Sequence, residues 1–72
     1  MLKNNEAYDL IFKDYPDVVG VEQMCRMLGD ISVKTGYRLL HENRIKHFRI
    51  GRAYKIPKLY IFEYLDSWRL YK

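Results

Sequence analysis

A single cysteine, Cys25, stands among the 72 residues. No intrachain disulfide can staple the chain, and nothing points to an oxidising compartment. The neighbours Met24, Met27 and Leu28 mark Cys25 as a small buried hydrophobe. No apolar run approaches a membrane span. Residues 1–15 lack the unbroken apolar core and small-residue cleavage site of a secretory signal, so a cytoplasmic protein is expected. Prolines number two and glycines four, and no internal repeat or low-complexity segment is present. A Gly-rich phosphate loop, a nucleophile beside a base and a carboxylate pair in a cleft are all missing, so an enzyme is not expected. The spacing of Cys25, His41 and His47 matches no usual zinc pattern, and no metal or other cofactor is expected. Acid is scarce in one half. Residues 32–72 hold three acids against ten bases, a net +7, whereas residues 1–31 hold six acids against three bases, a net −3.

What is present suits one small domain. Hydrophobic residues make up 49% of the chain and aromatics 15%, enough for a core that folds without staples. Residues 5–14 carry Ala7, Tyr8, Ile11, Phe12 and Tyr15 at helical spacing, with Asn4 or Asn5 as a cap. Pro16 disfavours helix at Tyr15 and ends the segment. Val18 and Val19 suit a short extended piece. Gly20 then caps an eight-residue helix whose face is Val21, Met24, Cys25 and Leu28, and Gly29 closes it. Ser32 is a good N-cap for a helix over 33–43, with Gly36, Leu39 and Leu40 inward. Two short helices joined by a Gly-containing turn are a helix-turn-helix signature.

Between residues 47 and 57 the period changes to 2. Phe48 and Ile50 alternate with Arg49, and Tyr54 and Ile56 flank Lys55, the pattern of two half-buried strands. If Ile50 faces the same way as Tyr54, the loop holds an odd number of residues. Gly51, Arg52 and Ala53 then form a three-residue loop with Arg52 at its tip, and Arg49 and Lys55 project to solvent. Pro57 opens a final helix, with Leu59, Phe62, Leu65 and also Ile61 and Trp68 as inward candidates. Its remaining aromatics form an apolar strip suited to contact.

The outer side of the 33–43 helix carries Val33, Lys34, Tyr37, Arg38 and His41. Lys34 and Arg38 lie at i, i+4 and share a face. Such residues reach base edges when a helix enters the major groove. Thr35 and Tyr37 can donate to phosphates, and so can Ser32 if capping leaves its hydroxyl free. Arg52 at the hairpin tip suits the minor groove. Tyr54 belongs to the core, with its hydroxyl at the rim within reach of phosphate. Lys46, Arg49, Lys55 and Lys58 supply phosphate neutralisation. The competing description of each cation is an ordinary solvated surface charge.

The pattern resembles the excisionase-type, MerR-like winged helix-turn-helix domains of bacteria, from about Tyr15 to Leu65. The Ser-x-x-Thr-x-Tyr start of the second helix (Ser32, Thr35, Tyr37) and the Ile-Gly-Arg-x-Tyr-x-Ile-Pro wing (Ile50, Gly51, Arg52, Tyr54, Ile56, Pro57) carry it. The resemblance implies a small, nucleoid-associated DNA-binding protein of a mobile element, either a recombination directionality factor or a transcription regulator. By position it makes Ser32, Lys34, Thr35, Tyr37 and Arg38 the helix contacts and Arg52 the wing contact. It implies double-stranded DNA and an integrase as partners; the small contact area of one module adds further copies of the chain as an expectation, and neither a membrane nor a small-molecule effector is expected. The chain departs from the pattern at Gly20, where relatives have Thr or Ser; at Asp30, an extra residue in the turn; and at Gly36, which costs about 1 kcal/mol in helix propensity and admits a close approach of the two helices.

The expected fold is mainly α with a small β hairpin, a winged helix-turn-helix of about four short helices and a two-stranded wing. Residues 1–15 form a helical extension and residues 16–72 the single DNA-binding domain. The competing function is a protein-interaction adaptor that docks an integrase or another partner through the aromatic C-terminal helix.

Overall fold

The computed structural model describes Leu10 and residues 12–68. Along them run β1 (Val18–Val19), α1 (Val21–Met27), α2 (Val33–His41), β2 (Phe48–Ile50), β3 (Ala53–Pro57) and α3 (Lys58–Trp68). Three helices are therefore found among the described residues instead of four. Most of the helix expected over 5–14 lies outside them. Where they resume, residues 12–15 make a turn closed by the Tyr15 N–H on the Phe12 carbonyl at 3.1 Å.

The two helices of the central motif form where their end signals stand. Gly20, in extended backbone, caps α1, and its carbonyl accepts from the Met24 N–H at 3.0 Å. Leu28 is the C-cap, so the helix is one residue shorter than expected. Ser32 caps α2 with its side-chain oxygen, which accepts from the Thr35 N–H at 3.1 Å. That bond satisfies one of the orphan donors of a helix start. α2 ends at His41, two residues before the expected limit, with Glu42 as its C-cap, and Asn43 follows in the left-handed region at φ 56°, a common exit from a helix.

The sheet has three strands in the order β1-β3-β2, all antiparallel. Val18 and Val19 supply the additional strand by pairing with Pro57 and Ile56. At the hairpin Ile50 pairs with Ala53, Arg49 with Tyr54 and Phe48 with Lys55. The loop is thus the two residues Gly51 and Arg52, not three. Gly51 sits at φ +61°, the positive value that a tight hairpin turn requires at its first central position. One residue fewer in the loop exchanges the two faces of β2 relative to β3. Arg49 therefore shares the face of Tyr54. Phe48 (44% exposed) and Ile50 (63% exposed) stand outward, opposite Lys55 and Ala53.

Val19, Met24, Leu40, Ile45, Ile56 and Ile61 are fully buried, so every element except β2 reaches the core. Ile45, in the connection after α2, is a core residue that periodicity does not single out. In α3 the buried positions are Lys58, Ile61 and Phe62, the i, i+3, i+4 spacing of one helical face. Leu59, Leu65 and Trp68, expected inward, are exposed.

Lys58 explains that rotation. It is only 8% exposed, and its Nζ donates to the carbonyls of Phe12 (3.0 Å) and Tyr15 (2.9 Å). The Asp17 carboxylate lies 3.9 Å from the same Nζ, and the Asp17 carbonyl accepts from the Lys58 N–H at 2.8 Å. A buried ammonium with carbonyl partners is affordable where an unpartnered one is not. With Lys58 turned inward, Leu59 is carried about 100° round the helix, towards solvent.

Candidate nucleic-acid interface

The outer surface of α2 is built by the capping geometry. Ser32 Oγ donates to Thr35 Oγ1 at 2.9 Å while accepting from the Thr35 N–H. Its hydroxyl is consumed by the cap, so Ser32 is withdrawn as a phosphate donor. The Thr35 hydroxyl hydrogen stays available. Beyond the cap, Lys34, Tyr37, Arg38 and His41 are exposed on one side of the helix, and Gly36 and Leu40 are buried on the other.

Gly36 sets how closely α2 approaches α1. A Cβ at this position would lie 2.5 Å from Cys25 Sγ and 3.3 Å from Met24 Cε. The Cys25 thiol in turn donates to the Ser32 carbonyl at 3.6 Å. Burial pushes this thiol above its ordinary range, Glu22 adds to the rise and the Gly36 backbone opposes it. A protonated, buried thiol is neither nucleophile nor metal ligand. Among the described residues no group of three His, Cys, Asp or Glu could hold a metal ion, and no helix is long and apolar enough to cross a membrane.

Tyr54 joins α2 to the hairpin. Its ring centroid lies 5.6 Å from that of Tyr37 and 6.4 Å from that of His41, both on α2. From the other side His47 approaches to 5.4 Å, and the Arg49 guanidinium carbon lies 4.9 Å from the Tyr54 ring centroid. The Arg49 position is a cation–π distance, and it follows from the two-residue loop. Arg49 is thus removed from the outward hairpin face that sequence periodicity predicts and set beside α2. His47 Nδ1 lies 2.8 Å from the Ile45 carbonyl. A carbonyl only accepts, so Nδ1 carries the proton and Nε2 is the acceptor in the neutral ring. His47 was missed as a member of this cluster. The signal was present, because His47 directly precedes β2 and stands two residues from Arg49, the spacing at which an extended chain returns to one side.

The other expected cations divide. Arg52 is exposed in the turn, and Lys55 lies half-buried on the hairpin face opposite Tyr54. Lys46 Nζ sits 5.6 Å from the Tyr60 ring centroid, facing α3 instead of joining the Tyr54 cluster. Lys58 is withdrawn from the interface, because its ammonium is buried against Phe12 and Tyr15. The surface that remains comprises Lys34, Thr35, Tyr37, Arg38 and His41 from α2, with Arg49, Arg52 and the edge of Tyr54 from the hairpin. Chemically it offers cations and aromatic edges and no acid, which suits a polyanion.

Compared with known proteins, residues 18–69 match the model of a family described as a helix-turn-helix domain. No curated protein and no solved structure matches the chain.

Proposed function

This chain belongs to the helix-turn-helix domain family, and from that membership we propose that it binds double-stranded DNA as a winged variant of the fold. In this reading α2 enters the major groove. Lys34 and Arg38 read base edges or grip phosphates, and Tyr37 and the Thr35 hydroxyl contact the backbone. Arg52, at the hairpin tip, approaches the neighbouring minor groove, and Arg49 lines the surface between the two. The biological role is that of an excisionase-like factor or a small transcription regulator of a mobile element, in the bacterial cytoplasm. A single module of this kind buries on the order of 600–1,000 Å². Adjacent copies on direct repeats, or a partner such as an integrase, complete the assembly.

The observation that carries the reading is the set of contacts around Tyr54. Tyr37 and His41 meet its ring from the helix, His47 and Arg49 from the hairpin side. Packing of this kind holds the two basic elements in one orientation before any partner arrives, which lowers the cost of ordering them on binding.

Selection from a random duplex pool, followed by gel shift on the enriched sequence, tests it. A short common motif is expected. Arg38→Glu or Arg52→Glu should each weaken binding about tenfold or more, the scale of a lost charged contact to a base or phosphate. A pool that never converges, together with an equal shift by both variants, refutes the proposal.

A further inference from the structure

On the side of α3 that flanks the α2–β2 connection, three aromatic residues follow one another at i, i+4 spacing: Tyr60, Tyr64 and Trp68. Residues so spaced line up along a helix. Trp68 is 52% exposed and meets Tyr64 edge to face, with centroids 6.0 Å apart. Two cations of the connection stand against this stripe. Lys46 lies over Tyr60, and Arg44 joins Tyr64, Ser67 and Trp68 around a concavity of about 410 Å³. Ser67 is no donor to this space, because its hydroxyl bonds the Tyr64 carbonyl at 2.7 Å.

We propose that this groove is a second binding site, which takes a short acidic peptide segment of a partner protein carrying at least one large apolar side chain. Three features carry the assignment. The volume falls within the range of pockets that hold a compact ligand, about 300–1,000 Å³, and fits one or two side chains. The lining is aromatic and already paired ring to ring, so its contact area is presented at small entropic cost; Trp, Tyr and Arg are also the residues that dominate binding hot spots. Charge then selects the partner. Arg44 is held to Glu42 through Nε at 3.1 Å, an exposed pair of low worth. A guanidinium held through Nε still carries its terminal N–H donors, in the planar geometry that grips a carboxylate. Lys46 adds a second positive charge at the Tyr60 end. A duplex backbone would satisfy both cations and leave the Trp68 and Tyr64 faces in water, whereas an acidic segment with a Leu or Phe satisfies both.

The site shares no residue with α2 or with the Tyr54 cluster, so it stands or falls apart from the DNA reading. Trp68 is the sole tryptophan, and its emission reports directly on the groove. The test is a displayed library of random dodecapeptides, selected on the full chain and counter-selected on a chain carrying Arg44→Glu and Trp68→Ala. Both positions are exposed, and far-ultraviolet circular dichroism checks that the variant folds. Selected peptides should be enriched in Asp and Glu beside Leu, Phe or Met, and they should shift Trp68 emission saturably. Arg44→Glu should weaken them about tenfold or more, the loss of one hot-spot contact, while Arg38→Glu leaves them unchanged. The proposal is overturned by winners without acid enrichment or by equal binding to the counter-selected chain. It is equally overturned if DNA alone shifts Trp68 emission in an Arg44-dependent way, or if Arg44→Glu abolishes self-association of the chain in sedimentation, since the occupant would then be a duplex or a second copy.

Discussion

Gly36 and Cys25 form a matched pair. The first reads as a propensity penalty inside a helix, and its reason appears only across the helix interface, where any Cβ would fall 2.5 Å from the thiol sulfur. Gly36→Ala therefore sets a gain of about 1 kcal/mol in helix propensity against overpacking that costs typically 1–3 kcal/mol. A net loss of stability is expected in urea melts, together with weaker DNA binding as α2 shifts from α1. Removing the sulfur relieves the clash. The double variant Cys25→Ala/Gly36→Ala should be more stable than the sum of the single effects allows, with a coupling of about 1–2 kcal/mol, within the range for residues in contact. Simple additivity would mean that the close approach does not govern the interface. The Ser32 cap, by contrast, was readable directly, because a serine followed at the third position by a residue whose N–H needs a partner is a local arrangement. The same hydroxyl is engaged with Thr35 as both donor and acceptor, so the condition for Ser32 to act as a phosphate donor is not met in this conformation.

At the scale of elements, α3 and the hairpin are where periodicity misleads. In α3 the leucines and the tryptophan outnumber what one face holds, and apolarity alone could not tell which would be exposed. Lys58 decides it, spending its ammonium on two carbonyls of the segment before β1. Lys58→Met keeps the length and removes the donor. Leaving those acceptors without their partner costs about 1–3 kcal/mol, and the loss should show as a lowered denaturation midpoint and faster proteolysis near residues 12–17. In the hairpin, parity was reasoned correctly from a wrong premise. Apolarity predicts Phe48 and Ile50 inward, and an odd loop length follows from that. The turn obeys Gly51 instead, and a two-residue loop sends both side chains outward. Phe48 and Ile50 were free to turn out because Tyr54, Ile56 and Val19 already supply the sheet's contribution to the core.

For the whole molecule, the decisive quantity is where charge collects. With Lys58 buried, Lys46 over Tyr60 and Lys55 on the opposite hairpin face, four cations remain for a duplex: Lys34, Arg38, Arg49 and Arg52. The log of the binding constant should then fall with the log of salt at a slope of roughly −3.6. Replacing Arg49 by Ala should flatten it by about 0.9, whereas Lys58→Met and Arg44→Glu should leave the slope unchanged even where they alter stability or partner binding. Measured isotherms at several salt concentrations check both statements. An equal flattening by Lys58→Met would mean that its ammonium reaches phosphate after all. By itself the sequence determined the order of elements, the capped helix pair and the excess of positive charge in the second half, because caps, glycine turns and charge are properties of a few neighbouring residues. Only the tertiary structure decided which face each strand shows, that Lys58 is a core donor, and that Arg49 lies beside the Tyr54 ring. Those outcomes depend on residues far apart in the chain competing for a single interior, and no local pattern records who wins.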